Sequence, residues 1–405
     1  MKRTQPSPED LAAHWDLERD VVFLNHGSFG ACPRAVLEHQ SRLRARLEAQ
    51  PVRFFVREYY GLLDDARREL AAFVGADPEC LAFVNNATTG VNCVLRSLEL
   101  RSGDELLASD QAYNACRNAL DACAARWGAR VRVARVPFPL RDRSEVLAAL
   151  VREASARTRL LLVDHVTSPT GLVLPLAEIL HEFQGRGVEV LVDGAHAPGM
   201  LPLDIGALAP TYYAGNCHKW LCAPKGAGFL YVDRARRDDV RPLVVSHGAN
   251  APTDRRSRFR NEFDWIGTQD PTAWLSVPEA IRYVGSLLPD GWPEVMRRNR
   301  ELALEARRIV CAALEVPEPA PEDMLGALAA LPLADGEANP SSPLYTDPLA
   351  DRLWREHRIE VPISPWPAPP KRVLRLSAQL YNRREQYERL AQVLRAESAT
   401  RTTRR

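Results

Sequence analysis

The sequence predicts an α/β fold: a doubly wound, mostly parallel sheet with a smaller α+β domain built from the C-terminal part and the N-terminal arm. Three observations lead there. Short apolar runs alternate with helical patterns between residues 81 and 232, in the manner of βα units. Most of those runs are apolar at every position, which calls for a sheet covered on both faces. Beyond residue 275 the pattern changes to longer helices and one short strand.

In chain order, the apolar runs at 81–85, 105–109, 131–136, 160–166, 189–193, 212–215 and 227–232 read as strands. Periodicity between them predicts helices over 90–98, 112–127, 144–154 and 176–185. Helices follow over 272–286 and 292–314, then a Pro- and Ala-rich stretch over 316–343 and a helix over 347–357. A Pro-rich loop at 362–370, a strand at 373–377 and a helix over 384–397 complete the pattern. The division this predicts is a large domain of residues 25–275, a small domain of 1–24 plus 276–398, and a solvated tail of 399–405.

A chain of 405 residues, 46% apolar, buries a large core, and a net charge of +1 speaks against nucleic acid or an anionic membrane as partner. The first twenty residues are polar, and no apolar run approaches a membrane span, so a cytoplasmic protein is expected. Eight cysteines without a CxxC pair or matching histidine spacing predict reduced thiols and no metal site.

The chemistry concentrates at three strand ends. Gly215-Asn216-Cys217-His218-Lys219-Trp220 places a lysine beside a histidine and an amide, and Lys219 is the candidate Schiff-base nucleophile, although the His-Lys pair alone reads first as a surface lysine after a strand. Asn85-Asn86-Ala87-Thr88-Thr89-Gly90 opens a helix, where N–H groups and hydroxyls suit a phosphate or simply form a Thr cap. Asp193, in Asp193-Gly194-Ala195-His196, either caps the next segment or holds a pyridinium nitrogen protonated. A phosphate cradle, an acidic strand end and a lysine strand end together read as a pyridoxal 5′-phosphate (PLP) site.

On these residues, with Asn25-His26-Gly27-Ser28-Phe29-Gly30, Gly267-Thr268 and Arg375-Leu376-Ser377, the chain resembles the class V aminotransferase family of fold-type I PLP enzymes, and within it the group that contains isopenicillin N epimerase. The resemblance implies that Lys219 binds the cofactor covalently and Asp193 partners the pyridine nitrogen. It places Thr88, Thr89, Asn216 and His218 at the phosphate, His196 at the phenolic oxygen and Tyr113 against the ring. Ser168 stands where relatives carry an asparagine near the ring. Arg375 is implied as the grip on the substrate carboxylate, where spacing alone reads as a surface arginine, with Asn25 and His26 near the substrate. Thr268 is implied to reach the phosphate of a neighbouring subunit, hence a homodimer with shared sites.

One departure narrows the reaction. Desulfurases of the superfamily carry a persulfide-forming cysteine in the C-terminal third, whereas the last cysteine here is Cys311, inside a predicted helix. Reactions that begin with loss of the Cα proton remain: epimerisation, with Lys219 as base and Tyr113, His26 or His247 as candidate second donors, or β-elimination by a C–S lyase of the cysteine desulfhydrase or ergothioneine sulfoxide lyase kind. A non-catalytic PLP-binding homologue is the third reading. In each enzymatic case the partner is a small-molecule amino-acid substrate.

Overall fold

Seven strands form the main sheet in the order β2-β8-β7-β6-β5-β3-β4. The computed structural model describes residues 6–336 and 347–402, so the end of the predicted Pro- and Ala-rich stretch and residues 403–405 lie outside it. After a single helical turn at Pro8–Ala12 the chain enters β1 (Val22–Phe23), passes a short turn at His26–Phe29, and forms two longer helices that went unread in the sequence, α1 (Arg34–Ala49) and α2 (Tyr59–Val74). The wound core follows as β2 (Leu81–Val84), α3 (Ala87–Ser97), β3 (Glu105–Ser109), α4 (Asn114–Trp127), β4 (Arg130–Ala134), α5 (Ser144–Glu153) and β5 (Thr158–Asp164). It continues with α6 (Leu176–Gly185), β6 (Glu189–Gly194), β7 (Tyr212–Asn216) and β8 (Gly228–Val232).

Only β8 runs against its neighbours, antiparallel to both β2 and β7. One face of the sheet packs α1, α2, α5 and α6 around Phe83, Leu107, Leu161 and Val190. The other packs α3, α4 and α7 (Arg258–Asp264) around Leu106, Leu162, Leu191 and Leu230. Apolar side chains at successive strand positions thus enter two cores, which is why the strands lack polar alternation. β4 is the exception: it is an edge strand, and Arg130 and Arg132 face solvent.

The predicted helix over 272–286 is broken. A single turn at Thr272–Leu275 ends at Ser276, and α8 (Val277–Ser286) starts afresh with Pro278 in its first turn, where a missing N–H costs nothing. α9 (Trp292–Leu314) follows as expected. The Pro- and Ala-rich stretch hides a strand, β9 (Leu328–Leu333). Its Leu-Ala-Ala-Leu-Pro-Leu sequence reads poorly as strand, but β9 lies at the edge of a small sheet, where Pro332 can sit without breaking a ladder.

After α10 (Pro348–His357), β10 (Ile359–Glu360) pairs in parallel with β1 and so ties the N-terminal arm to the C-terminal part. The loop expected at 362–370 contains β11 (Ile363–Pro365), which joins β12 (Arg372–Ser377) and β9 in the order β11-β12-β9. α11 (Arg384–Thr402) closes the chain, so the tail predicted from residue 399 begins as helical backbone.

Candidate active site

The parallel strands end in loops on one edge of the sheet, where α/β folds collect ligand-binding groups. β2 delivers the start of α3, whose cap is Asn86 rather than a threonine. Asn86 Oδ1 accepts from Thr89 N at 2.8 Å, and the Asn216 amide oxygen, from the end of β7, accepts from Ala87 N at 2.8 Å. Thr88 and Thr89 therefore occupy the first helical turn directly beside Asn216, with the positive end of the helix dipole beneath them.

Asp193, next to last in β6, lies in register with Asp164 at the end of β5, and both carboxyls are buried. Asp193 Oδ1 accepts from Ala195 N at 3.0 Å and Oδ2 from the Cys116 thiol at 3.1 Å. Burial, then the neighbouring Asp193 carboxylate, push Asp164 well above the usual carboxylate range. Cys116 and Asp164 were not singled out in the sequence, because a cysteine in a helix and an aspartate ending an apolar strand carry no pattern of their own.

Lys219 lies in the turn after β7, which is pinned by hydrogen bonds from Cys217 N and His218 N to Ala227 O. Two glycines make room for it. Gly30 (φ +72°) lies so close that a Cβ would approach the His218 carbonyl to 2.1 Å, and one on Gly199 (φ +84°) would approach the Trp220–Leu221 peptide to 2.6 Å. The N-terminal Gly27-Ser28-Phe29-Gly30 stretch is thereby part of the site's scaffold. Lys219 Nζ lies 3.2 Å from His196 Nε2, and His196 Nδ1 accepts from the Trp220 indole N–H at 3.3 Å. Burial, reinforced by the Arg375 charge, lowers the Lys219 amine to about 8. His196 is pushed well below the ordinary imidazole range by burial and by Lys219.

Arg375 enters from β12, the centre of the small sheet, and is buried. Its Nη1 donates to Ser168 O at 2.6 Å and to Ser168 Oγ at 3.3 Å, and its Nη2 donates to Ser28 Oγ at 2.9 Å. Nε has no partner, and no carboxylate pairs with the guanidinium among the described residues. Burial lowers Arg375 to about 10. Ser168 thus holds the arginine. Tyr113 stands at the N-terminus of α4 with 47% of its surface exposed, within electrostatic reach of Arg375.

Three expected residues take other positions. Asn25 meets Arg375 only through Ser28: the Ser28 hydroxyl donates to Asn25 Oδ1 at 2.5 Å, and Asn25 Nδ2 donates to Glu360 at 2.9 Å. His26 is fully buried, with Nδ1 at 2.7 Å from the Tyr381 hydroxyl and Nε2 at 3.0 Å from the Lys219 carbonyl. A neutral ring donates from Nε2 and accepts at Nδ1, and burial holds His26 down at about 3, so it is a clamp on the lysine turn without a proton to lend. His247 is exposed, in a short turn packed on α7. His218 donates from Nδ1 to Ala227 O at 2.9 Å and is lowered to about 4 by burial.

The chain matches the aminotransferase class-V model over residues 26–310. It belongs to that family. The isopenicillin N epimerase of Streptomyces clavuligerus is 38% identical over 400 residues, 95% of this chain and 97% of that protein. The enzyme of the same name from Amycolatopsis lactamdurans is 40% identical over 392 residues, 93% and 95% of the two chains. A probable chloroplastic L-cysteine desulfhydrase of Arabidopsis thaliana is 29% identical, covering 92% of this chain and 82% of that one. Among solved structures, the cystine C–S lyase C-DES in complex with its product cysteine persulfide superposes with a TM-score of 0.76 at 25% identity, over 93% of this chain and 98% of that one. A C-DES mutant with glycine covalently linked to its PLP cofactor gives a TM-score of 0.78 at 24% identity, over 93% and 97%.

This class V chain is accordingly a PLP-dependent enzyme, and its own residues fit the group. The Lys219 amine is half-buried without a hydrogen-bonded acid, Arg375 Nε is unsatisfied, and the Tyr113 ring stands half-exposed at the same edge. Cys311 lies in the core of α9 among Val310, Leu374 and Leu390, and burial raises its thiol to about 11, so it is inert packing. Among the described residues no group of His, Cys, Asp and Glu is placed to hold a metal ion, and no helix is long and apolar enough to cross a membrane.

Proposed function

We propose that this enzyme epimerises the Cα of an amino-acid substrate in the manner of isopenicillin N epimerase. The observation that carries the reading is a half-buried amine, Lys219, whose titration is lowered by desolvation and by the charge of a buried guanidinium, Arg375, that no carboxylate neutralises. An α-amino acid seated with its carboxylate on Arg375 would present its amino group and Cα toward Lys219, and the planar fork suits that carboxylate. Lys219, held near pH 8, then serves as the base that removes the Cα proton.

PLP, when bound, supplies an electron sink for the charge left at Cα. Lys219 would hold it covalently, Asp193 would keep its ring nitrogen protonated, and His196 would face its phenolic oxygen. Thr88, Thr89, Asn216 and His218 would hold the phosphate, and Tyr113 would stack on the ring. Of the three candidate second donors, Tyr113 is the one at the strand-end edge near Arg375, so it is the residue assigned to the opposite face.

The epimerase reading stands ahead because the relatives at 38–40% identity bear that name, whereas two L-cysteine desulfhydrases of Arabidopsis thaliana, one of them termed probable, match at 29–31%. The C–S lyase reading stays as the second, supported by those desulfhydrases, by a hercynylcysteine sulfoxide lyase at 26% identity and by the C-DES superposition. Incubation of amino acids in deuterated buffer separates them. Cα deuteration with interconversion of enantiomers and no pyruvate supports epimerisation; stoichiometric pyruvate from a cysteine conjugate overturns it.

The proposal includes a homodimer in the cytoplasm. Thr268 is exposed, four residues beyond Asp264, the end of α7 that Arg67, Arg256 and Arg260 grip, and would reach the phosphate of a second copy. All eight cysteines are free, which suits a reducing compartment. Sedimentation that gives a monomer with tightly held cofactor would sink the shared site.

A further inference from the structure

Among the contacts around Lys219, one has no part in holding cofactor or substrate: the indole N–H of the very next residue, aimed at the far side of His196. Trp220 is entirely buried and His196 nearly so, hence water competes for neither group. An indole N–H can only donate. The imidazole nitrogen that it meets, Nδ1, must therefore offer a lone pair, and a neutral imidazole then carries its single proton on Nε2. That nitrogen is the one 3.2 Å from Lys219 Nζ.

We propose that Trp220 is a positioning residue that locks His196 in the Nε2–H form, making His196 a permanent donor toward Lys219 and never an acceptor. The proposal rests on Lys219 as the covalent lysine, and it deepens that reading in two ways. A protonated Lys219 would set N–H against N–H across 3.2 Å, so the locked ring favours the neutral, nucleophilic amine over the ammonium. With Nε2 protonated, His196 also has no lone pair to take a Cα proton on its side, which leaves abstraction on that face to Lys219. Without the indole N–H, the ring is free to adopt the opposite form, accept from the ammonium and stabilise it.

The direct test uses the cofactor-free wild-type protein labelled with ¹⁵N-histidine, the His196 signal being assigned by its loss in His196→Ala. A two-bond ¹⁵N–¹H correlation pattern of the Nε2–H form is expected; an Nδ1–H pattern or a rapidly averaging mixture overturns the proposal. This spectrum decides the tautomer even if no Trp220 variant folds. The second arm measures the pH dependence of PLP attachment, read by visible absorbance. Trp220→Phe keeps an aromatic ring but loses the N–H; its midpoint should move upward, with attachment at pH 7 slowed about three- to tenfold, as one hydrogen bond dictates. In the His196→Ala background the same Trp220→Phe change should have no effect on the midpoint. An unmoved midpoint in the single variant, or a shift that persists without His196, overturns the mechanism. Borohydride fixation of PLP at another lysine would instead strike down the Lys219 reading and leave the tautomer result standing.

Discussion

Changing Arg375 to glutamine should separate function from stability in opposite directions. The guanidinium is buried on neutral oxygens alone, Ser168 O, Ser168 Oγ and Ser28 Oγ, with Nε unsatisfied. A desolvated cation without a counter-charge is a cost to the folded state until an anion arrives. Arg375→Gln removes the charge and keeps an amide able to donate to Ser168 O, so the melting temperature should hold or rise. Substrate recognition should collapse: losing one partner of a buried charge pair costs about 2–5 kcal/mol, or roughly 30- to 4,000-fold in kcat/KM. Because Arg375 is the largest charge depressing Lys219, the amine should also titrate higher than about 8 in the variant. Calorimetry on the cofactor-loaded enzyme, with the Cα deuteration rate against amino-acid concentration, measures both halves. A variant that melts several degrees lower, or binds amino acids unchanged, would refute the view of Arg375 as a cation kept waiting for a carboxylate.

The pH dependence of cofactor attachment follows from the same amine. Its reactive form is neutral, is in the majority above pH 8, and falls about tenfold per unit below that, so attachment at pH 6 should run about tenfold slower than at pH 7. Stopped-flow absorbance gives the profile, and a midpoint near 10 would contradict the buried, Arg375-flanked site. Asp193→Asn should leave attachment intact while slowing Cα deuteration by two or more orders of magnitude, since the ring nitrogen loses its carboxylate; equal rates in the two proteins would remove Asp193 from that role. His26→Gln should lower stability by about 1–3 kcal/mol through the lost contacts to Lys219 O and Tyr381, with both Cα faces still protonated. Loss of one face at unchanged melting temperature would instead make His26 the second donor. Asp264→Asn should cost about 3–5 kcal/mol in denaturant titration, because Arg67, Arg256 and Arg260 all converge on that buried carboxylate.

By itself the sequence determined the wound sheet and the three strand-end groups, for a physical reason. Strands buried on both faces are written as unbroken apolar runs, and a parallel sheet puts whatever follows each run at one edge, so Thr88, Asp193 and Lys219 had to converge. What it could not encode locally, the tertiary structure decided. β9 and β11 exist because β12 lies between them to complete their ladders, against the leanings of an Ala- and Pro-rich sequence. His26 became a clamp because Tyr381, 355 residues on, and the Lys219 carbonyl meet its two nitrogens, and Asn25 is held between Ser28 and Glu360. Cys116, Asp164 and Trp220 entered the site through burial and direction alone, since a side chain's neighbours across the core, unlike its periodicity along the chain, are fixed only when the helices and strands have packed.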